Sequence, residues 1–167
     1  LETAFFYPIG QNEPNIGRSH FRGLSDAKPN LLGFMLVDNI TKELQKSNDL
    51  VEMMWQRREI ENYIAMPSVL LAYAGDNHDT MIHLLERRMP LDARENFEDI
   101  WWHETKISDF LDRLFKDYFA ELGSSNLLYK TNYHILADYL TPDQIHLEII
   151  EKLDAIYDVA KRANPRE

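Results

Sequence analysis

The sequence predicts an α/β fold in which a short parallel sheet near the N-terminus is followed by a mostly helical C-terminal region. Two continuous apolar runs, Leu31–Val37 and Leu50–Trp55, carry the sheet prediction, because strands buried in parallel sheets have this pattern. From Glu59 onwards, apolar residues recur at helical spacing between proline and glycine stop signals. The 167 residues suffice for one domain with a core of its own.

The composition restricts the classes of function. With 28 acidic and 18 basic residues, the formal net charge is −10, which disfavours autonomous binding to nucleic acid because phosphate binding relies on Lys and Arg. Cysteine is absent, which excludes disulfides and thiolate metal sites and is consistent with a cytoplasmic protein. No run approaches the roughly 20 apolar residues of a membrane span. The start at Leu1, without a basic leader segment or an initiator methionine, predicts a chain cut out of a longer protein.

The N-terminal part is predicted to alternate strands and a helix. Thr3–Ile9 is an apolar, aromatic run with Pro8 near its end, which favours an edge strand. Arg18–Leu24 has apolar residues at helical spacing, and the proline of Lys28–Asn30 stops it. Together with the strand that begins at Leu31, these segments predict a βαβ unit with a parallel strand pair and a right-handed crossover.

The C-terminal part is predicted to be a series of helices joined by short loops. Their predicted ranges are Pro67–Ala74, Asp79–Met89, Ser108–Leu122, Tyr133–Leu140 and Thr141 to about Ala163. Trp101 and Trp102 belong to an aromatic cluster that we expect in the core or at an interface. The last helix is predicted to turn one apolar row towards the core, namely Ile145, Ile149, Leu153, Ile156 and Ala160.

Acidic residues follow both predicted strands of the sheet. Asp38 stands where the first of them should emerge, and ligands of open α/β sheets bind outside the carboxyl ends of strands. A turn or a helix cap is the structural alternative for Asp38. The next strand leads into Gln56–Ile64, which carries Glu59 and Glu61. These acids suit either the positive N-terminus of a helix or a metal or phosphate site.

Other residues with reactive or charged side chains have simpler interpretations. The six histidines lack metal-ligand spacing, since the nearest pair on one helix, His78 and His83, is five apart. Acids stand close to Arg57–Arg58 and to Arg87–Arg88, which favours salt bridges on a solvated face. The sequence contains neither a nucleophile elbow nor a glycine-rich phosphate loop.

Four segments of the chain resemble a known family when they are taken together. In order they read HFRGL, GFMLVDN, WQRREIENYI and TKISDFLDRLF, and they resemble the C-terminal part of a TOPRIM domain. The version they resemble is fused to ABC-type ATPases of the overcoming-lysogenization-defect (OLD)-like family, and the resemblance covers roughly residues 3–120. It implies a partial Rossmann-like (TOPRIM-type) α/β core over residues 1–66. A helical region over residues 67–167 would pack on that core or extend it as one structural unit.

The resemblance also implies a chemistry. Such domains hold Mg²⁺ or Mn²⁺ with strand-end acids for cleavage of DNA, and hard oxygen ligands suit these ions. Asp38 matches the first acid of the family's Asp-x-Asp element, and Glu59 and Glu61 match its acidic E-I-E-N-Y segment. These three residues are the implied metal ligands. Lys106 matches a lysine that some relatives place near the scissile phosphate, and it completes the implied catalytic set.

Two departures from the family pattern bear on activity. Ile40 stands where the family has its second aspartate, and the family's early glutamate would lie before Leu1. We therefore expect the chain to be inactive alone and to depend on a full-length parent with an N-terminal ATPase domain that brings the DNA. A homo-oligomer is left open. The alternative prediction is a non-catalytic α/β-helical interaction or assembly domain of a larger ATPase.

Overall fold

A computed structural model describes residues 5–10 and 12–163 of the chain. They form a mixed α/β protein, mostly helical, with a two-stranded parallel sheet. Their contacts group into two compact units. One consists of the described residues up to Trp55 together with those from Leu147 onwards, and the other is Gln56–His146. The division predicted between residues 66 and 67 stays a prediction. Within the described ranges, no helix has the length and apolar character needed to cross a membrane.

The secondary structure follows the chain in a simple order. Its α-helices and strands are α1 (Pro14–Ala27), β1 (Gly33–Val37), β2 (Leu50–Met54), α2 (Glu61–Ile64), α3 (Pro67–Ala74), α4 (His78–Arg88), α5 (Leu91–Glu95), α6 (Ile100–Glu104), α7 (Ile107–Glu121) and α8 (Leu147–Arg162). Shorter 3-10 helices cover Gly75–Asn77, Lys130–Tyr139 and Pro142–Gln144.

The first unit is built on the parallel pair. Gly33 lies opposite Leu50, and Val37 lies opposite Met54, so the two strands end at the same edge. Met35, Val37 and Leu50 are buried, and a surrounding shell packs against them, namely Ile9, Phe21, Ile40, Leu44 and Met54. A Cβ on Gly33 would lie 2.9 Å from the Phe21 ring and from the Leu50 side chain, so glycine is required for this close approach of α1 to β1.

Two sequence-based expectations for this unit differ from the structure. Of the predicted strand Thr3–Ile9, the first two residues lie outside the described residues, and Phe5–Ile9 is irregular. The parallel partner of β1 is β2, which follows it in the sequence, so the predicted pairing of Thr3–Ile9 with this strand is wrong over the described residues, and Tyr7 instead stacks on His20 of α1. Helix α1 is longer than the predicted Arg18–Leu24, since Pro14 opens it in the first turn, where a missing N–H is tolerated.

The second unit is helical, and its core surrounds α7. Helix α4 packs on α7, and α3 packs on α4 and on the 3-10 helix Lys130–Tyr139. The helices predicted at residues 67–74, 79–89 and 108–122 are confirmed to within one residue. The predicted stop at Gly75 is confirmed by its positive φ of 55°. Trp102 is fully buried, and its indole N–H donates to the carbonyl of Ala93 at 2.7 Å.

The end of the chain departs from the predicted pattern. Thr141 and Gln144 form a capping box at the predicted start of the last helix, but it opens a 3-10 helix, and α8 begins only at Leu147. The extended backbone at Ile145 interrupts the helical phase, so the predicted core row is wrong in part: Ile145 and Leu153 are exposed at 39% and 58%. The buried face of α8 instead carries Glu148, Lys152 and Val159.

Candidate functional site

Asp38 directly follows β1 at the edge where both strands end. Its side chain is half-buried. Asn12 holds it from two sides, because the Asn12 amide donates to the Asp38 carboxylate and the Asp38 backbone N–H donates to Asn12 Oδ1 at 3.3 Å. This is the place where open α/β sheets bind ligands. Two positions further on, Ile40 packs against the core residues Met35, Val37 and Leu50, so an apolar side chain fills the position where the TOPRIM resemblance implies a second aspartate.

Glu59 is buried in the second unit, with 3% of the residue exposed. Its carboxylate accepts hydrogen bonds from the backbone N–H and the hydroxyl of Ser108, and the Lys130 ammonium lies 3.9 Å away. Ser108 stands in the first turn of α7, whose N-cap residue, Lys106, has no acceptor on its side chain. Glu59 therefore supplies the cap of α7 from another part of the chain, and its negative charge lies at the positive end of that helix.

Asn62 is fully buried, and its side chain stabilises the bend of the backbone at Glu59, between β2 and α2. Its side-chain oxygen accepts from the Glu59 N–H at 3.1 Å, and its amide donates to the carbonyls of Trp102 and Thr105 at 2.6 and 2.9 Å. All three bonds are made to backbone groups that lie near the start of α7 or in the bend itself. The amide thereby joins Gln56–Ile64 to the loop that leads into α7.

Arg57 was predicted on a solvated face, and the structure corrects this, since it is only 1% exposed. Its guanidinium donates to the carbonyl of Asn62 and to the carboxylate of Glu98, and it lies 4.1 Å above the ring of Phe97. An arginine can be buried when its planar group is both stacked and hydrogen-bonded in this way. The predicted salt bridges of Arg87 and Arg88 are confirmed, with Asp117 as the shared partner.

Glu61 begins α2 and is half-buried. It belongs to a group of acids around the buried hydroxyl of Tyr133, which donates a short hydrogen bond to Asp112. Burial raises the pKa of the Tyr133 phenol, and the bond to Asp112 and the charges of Asp112, Glu61 and Asp109 raise it further. The phenol is therefore a proton donor that stays neutral, and Glu61 contributes negative charge beside it.

Lys106 precedes α7, and its ammonium donates to Asp109 at 2.8 Å. That hydrogen bond raises the pKa of Lys106 and lowers the pKa of Asp109. The nearby charge of Glu59 also raises the pKa of Lys106, so these two predicted site residues are brought together at the start of α7. Lys106 stays a permanent cation there across the physiological range.

The predicted site residues fall into both units. Asp38 lies in the first, whereas Glu59, Glu61 and Lys106 lie in the second. Over residues 5–10 and 12–163, no three His, Asp or Glu side chains form a group that could hold a metal ion. The ligand set implied for Mg²⁺ or Mn²⁺ is thus incomplete within the described residues, and Glu59 already uses its oxygens on Ser108.

Sequence reasoning missed several partners of these acids. Asn12 was not connected with Asp38, which is 26 residues further along the chain; its φ of 47° is one that asparagine tolerates better than most residues. Ser108 and Lys130 were not connected with Glu59. Their sequence separations from it are long, 49 residues in the case of Ser108, so spacing gave no signal.

Comparison with known proteins gives no matching family model, curated protein or solved structure. The fold itself defines the chain as a mixed α/β protein whose parallel strand pair carries an aspartate at its carboxyl edge.

Proposed function

We propose that this chain is the C-terminal, TOPRIM-like nuclease region of an ATPase-linked, divalent-metal-dependent DNA endonuclease. The observation that carries the proposal is the position of Asp38, at the carboxyl edge of a parallel strand pair. A carboxylate at this edge is suited to a hard divalent cation such as Mg²⁺ or Mn²⁺. The resemblance of the surrounding sequence to OLD-like nucleases gives the reaction class, hydrolysis of a phosphodiester.

The hydrogen bonds of Asp38 support the same role. Asn12 holds both the carboxylate and the backbone N–H of Asp38, so the side chain has a fixed direction. Fixed oxygen ligands lower the cost of ordering a metal site, because less motion is lost when the ion binds. Ile40 belongs to the core in this proposal, and the remaining ligands come from the full-length parent protein.

The acids of the second unit take different parts in the proposal. Glu59 is a positioning residue, since its carboxylate caps α7 through Ser108. Glu61 and Lys106 keep the roles that the resemblance implies, a metal ligand and a cation near the phosphate, and Lys106 is held by Asp109 at 2.8 Å. The net charge of −10 means that DNA is held by basic surfaces elsewhere in the parent, including its N-terminal ATPase domain.

A second candidate function is a non-catalytic interaction or assembly domain of a larger ATPase. The observation that favours it is the engagement of the acids in structural contacts, with Glu59 on Ser108 and Asp109 on Lys106. In that case the role of Asp38 is structural, because its hydrogen bonds with Asn12 attach the segment before α1 to the end of β1. The two candidates differ in whether Asp38 is needed for cleavage.

The test is nicking of supercoiled plasmid by the full-length parent protein in Mg²⁺ or Mn²⁺. The proposal predicts that Asp38→Ala and Asp38→Asn both abolish metal-dependent nicking, because both remove the negative charge. The matched control is Asp26→Ala, an exposed aspartate near the end of α1, which should nick like the parent.

Thermal unfolding of each purified variant shows whether a loss of nicking is a loss of folding. Asp38→Asn is the sharper variant, since an asparagine can still hydrogen-bond with Asn12. Undiminished nicking by folded Asp38→Asn protein would reject Asp38 as a metal ligand and leave the assembly domain as the function.

A further inference from the structure

Strand β2 has an open edge on the side that faces away from β1. The Gly33 N–H of β1 donates to the carbonyl of Asp49 at 2.7 Å, which fixes the phase of the ladder. Because alternate residues of a parallel strand bond to the partner strand, Val51 faces β1, whereas Glu52 and Met54 turn their N–H and C=O groups outwards. No group in the described part of the chain hydrogen-bonds to these outward backbone groups. They form the unpaired row of an edge strand.

The exposure of Glu52 shows that solvent reaches this edge. Its side chain is only 1% exposed, because Arg18 holds both carboxylate oxygens, yet the residue as a whole is half-buried. The exposed surface of Glu52 therefore belongs to its main chain. Unpaired N–H and C=O groups along a strand are a template on which an extended peptide adds a further strand. A sheet of two strands gains stability from such an addition.

A groove runs beside this edge, and its lining residues all belong to the first unit. It consists of two hollows of about 330 and 500 Å³ that share Val51. Residues 45–48 and Glu52 line the smaller hollow, and the last turns of α8 line the larger one. Arg162 connects the two walls, since its guanidinium donates to the carbonyl of Asn48 at 3.4 Å. We name this feature the β2 groove.

The β2 groove has an apolar floor that suits a side chain of an added strand. Val51 meets Ala155 and Val159 of α8 in the larger hollow. Side chains of neighbouring strands point to the same faces of a sheet, so every second side chain of a peptide paired with β2 would point towards α8. Strand addition draws its affinity from main-chain hydrogen bonds and its specificity from such side-chain hollows.

The charges along the β2 groove select acidic side chains. Lys46, Lys161 and Arg162 line it, against the carboxylate of Asp158. The carboxylate of Glu52 is already paired with Arg18 and adds no free negative charge. This local excess of positive charge contrasts with the net charge of −10 of the whole chain. An acidic partner is complementary to the groove and is repelled by most of the remaining surface, which favours docking at this place.

We propose that the open edge of β2 and the β2 groove form a docking site for an extended peptide in which apolar and acidic residues alternate. The peptide adds a third strand through the outward groups of Glu52 and Met54. Its apolar side chains enter the hollow at Val51, and its carboxylates meet Lys46 and Lys161. The inference is independent of the proposed endonuclease activity. The contact is smaller than a standard interface, so we expect a dissociation constant of roughly 10–100 μM.

Fluorescence anisotropy tests the proposal with a labelled peptide that repeats valine–glutamate over about eight residues, at ~0.05 M salt. One analogue carries an N-methyl group on every valine, and another carries it on every glutamate. Only one of these two sets of N–H groups points at β2 in a paired strand, so one analogue should bind at least about tenfold more weakly and the other should bind like the parent peptide. A valine–lysine peptide should also bind at least about tenfold more weakly.

Variants of the chain test the charges of the β2 groove. Lys46→Glu and Lys161→Glu should each weaken binding of the valine–glutamate peptide about threefold to tenfold, because each replaces an attraction with a repulsion. Lys116→Glu makes the same charge change at an exposed lysine of α7 and should leave binding unchanged. All three positions are exposed, and circular dichroism of each variant verifies that its helices are intact.

Amide hydrogen exchange, followed by NMR on the 167-residue chain, locates the bound peptide. The peptide should slow exchange at Glu52 and Met54 at least about tenfold and should change Val51 little, since the Val51 N–H already faces β1. Absence of binding up to about 1 mM overturns the proposal. Equal binding of the two N-methylated analogues also overturns it, and so does binding without protection at Glu52 and Met54.

Discussion

The carboxylate of Glu59 accepts hydrogen bonds from both the backbone N–H and the hydroxyl of Ser108, in the first turn of α7. Glu59, which follows β2 in the sequence, therefore caps α7, the central helix of the second unit. The cap is needed because the N-cap residue itself is Lys106, whose side chain can only donate. Glu59 thus joins Gln56–Ile64 to the helical core.

Removing this cap should destabilise the protein. We expect Glu59→Ala to lower the free energy of unfolding by about 2–3 kcal/mol, since a helix cap and a buried acceptor of the Ser108 hydroxyl are both lost. Urea unfolding of the chain measures the change. Glu104→Ala, at an exposed glutamate of α6, is the control and should stay within about 0.5 kcal/mol. If Glu59→Ala left the free energy of unfolding unchanged, Glu59 would not act as the cap of α7.

Asn62 should be a sensitive uncharged position of the same segment. Asn62→Ala leaves the Glu59 N–H and the carbonyls of Trp102 and Thr105 without their partner in a buried place. Unmet buried groups cost about 1–3 kcal/mol each, so we expect a loss of roughly 3 kcal/mol after local relaxation. The measurement is again urea unfolding, and exposed Asn132→Ala is the matched control. Equal stability of the two variants would argue against the Asn62 network.

Ile40 should resist conversion to the acid of the family pattern. Ile40→Asp places a charge against Met35, Val37 and Leu50, and we expect the free energy of unfolding to fall by about 2 kcal/mol. Ile40→Val keeps an apolar side chain and should cost less than about 1.5 kcal/mol. Thermal unfolding of both variants gives the comparison. If Ile40→Asp were as stable as Ile40→Val, the core assignment of this side chain would be wrong.

Local patterns in the sequence predicted much of the fold. The runs at Leu31 and Leu50 predicted two buried strands, and the structure confirms their parallel pairing as β1 and β2. Gly75 and Pro67 predicted the limits of α3 because their backbone preferences act within one turn. The phase of α8 was mispredicted because extended backbone at Ile145 separates the capping box from the helix that follows.

The candidate site was predicted less completely, for a physical reason. Asp38 could be placed at a strand end because its position depends only on where β1 stops. The environment of Glu59 depends on Ser108, which is 49 residues further along the chain, and on the packing that brings α7 to it. Arg57 was predicted on the surface because the stacking ring of Phe97 is also distant in sequence and carries no charge pattern.

The pairing of Arg18 with Glu52 in the first unit should give the protein a specific acid sensitivity. Arg18 donates from Nε and Nη2 to the two carboxylate oxygens at 2.7 and 2.6 Å, and the Gln45 N–H donates to one of them at 2.8 Å. Burial alone would raise the pKa of Glu52, but the hydrogen bonds from Arg18 and Gln45 outweigh it and hold that pKa below its usual value of 4.5. The carboxylate is therefore more acidic in the folded state than in the unfolded chain.

A lowered folded-state pKa means that the stabilisation is complete above the unfolded pKa and is lost as the pH falls through the folded one. We expect Glu52→Gln to lower the free energy of unfolding by about 3 kcal/mol at neutral pH, because Arg18 is left buried with its charge unmatched. The difference in free energy of unfolding between the unchanged chain and Glu52→Gln should be constant near pH 7. It should become smaller below about pH 4.5, where the unchanged chain also begins to lose the Arg18–Glu52 ion pair. Urea unfolding across this range measures it, with exposed Glu43→Gln as control. If this difference in free energy stayed constant below about pH 4.5, Glu52 would not be the titrating partner of Arg18.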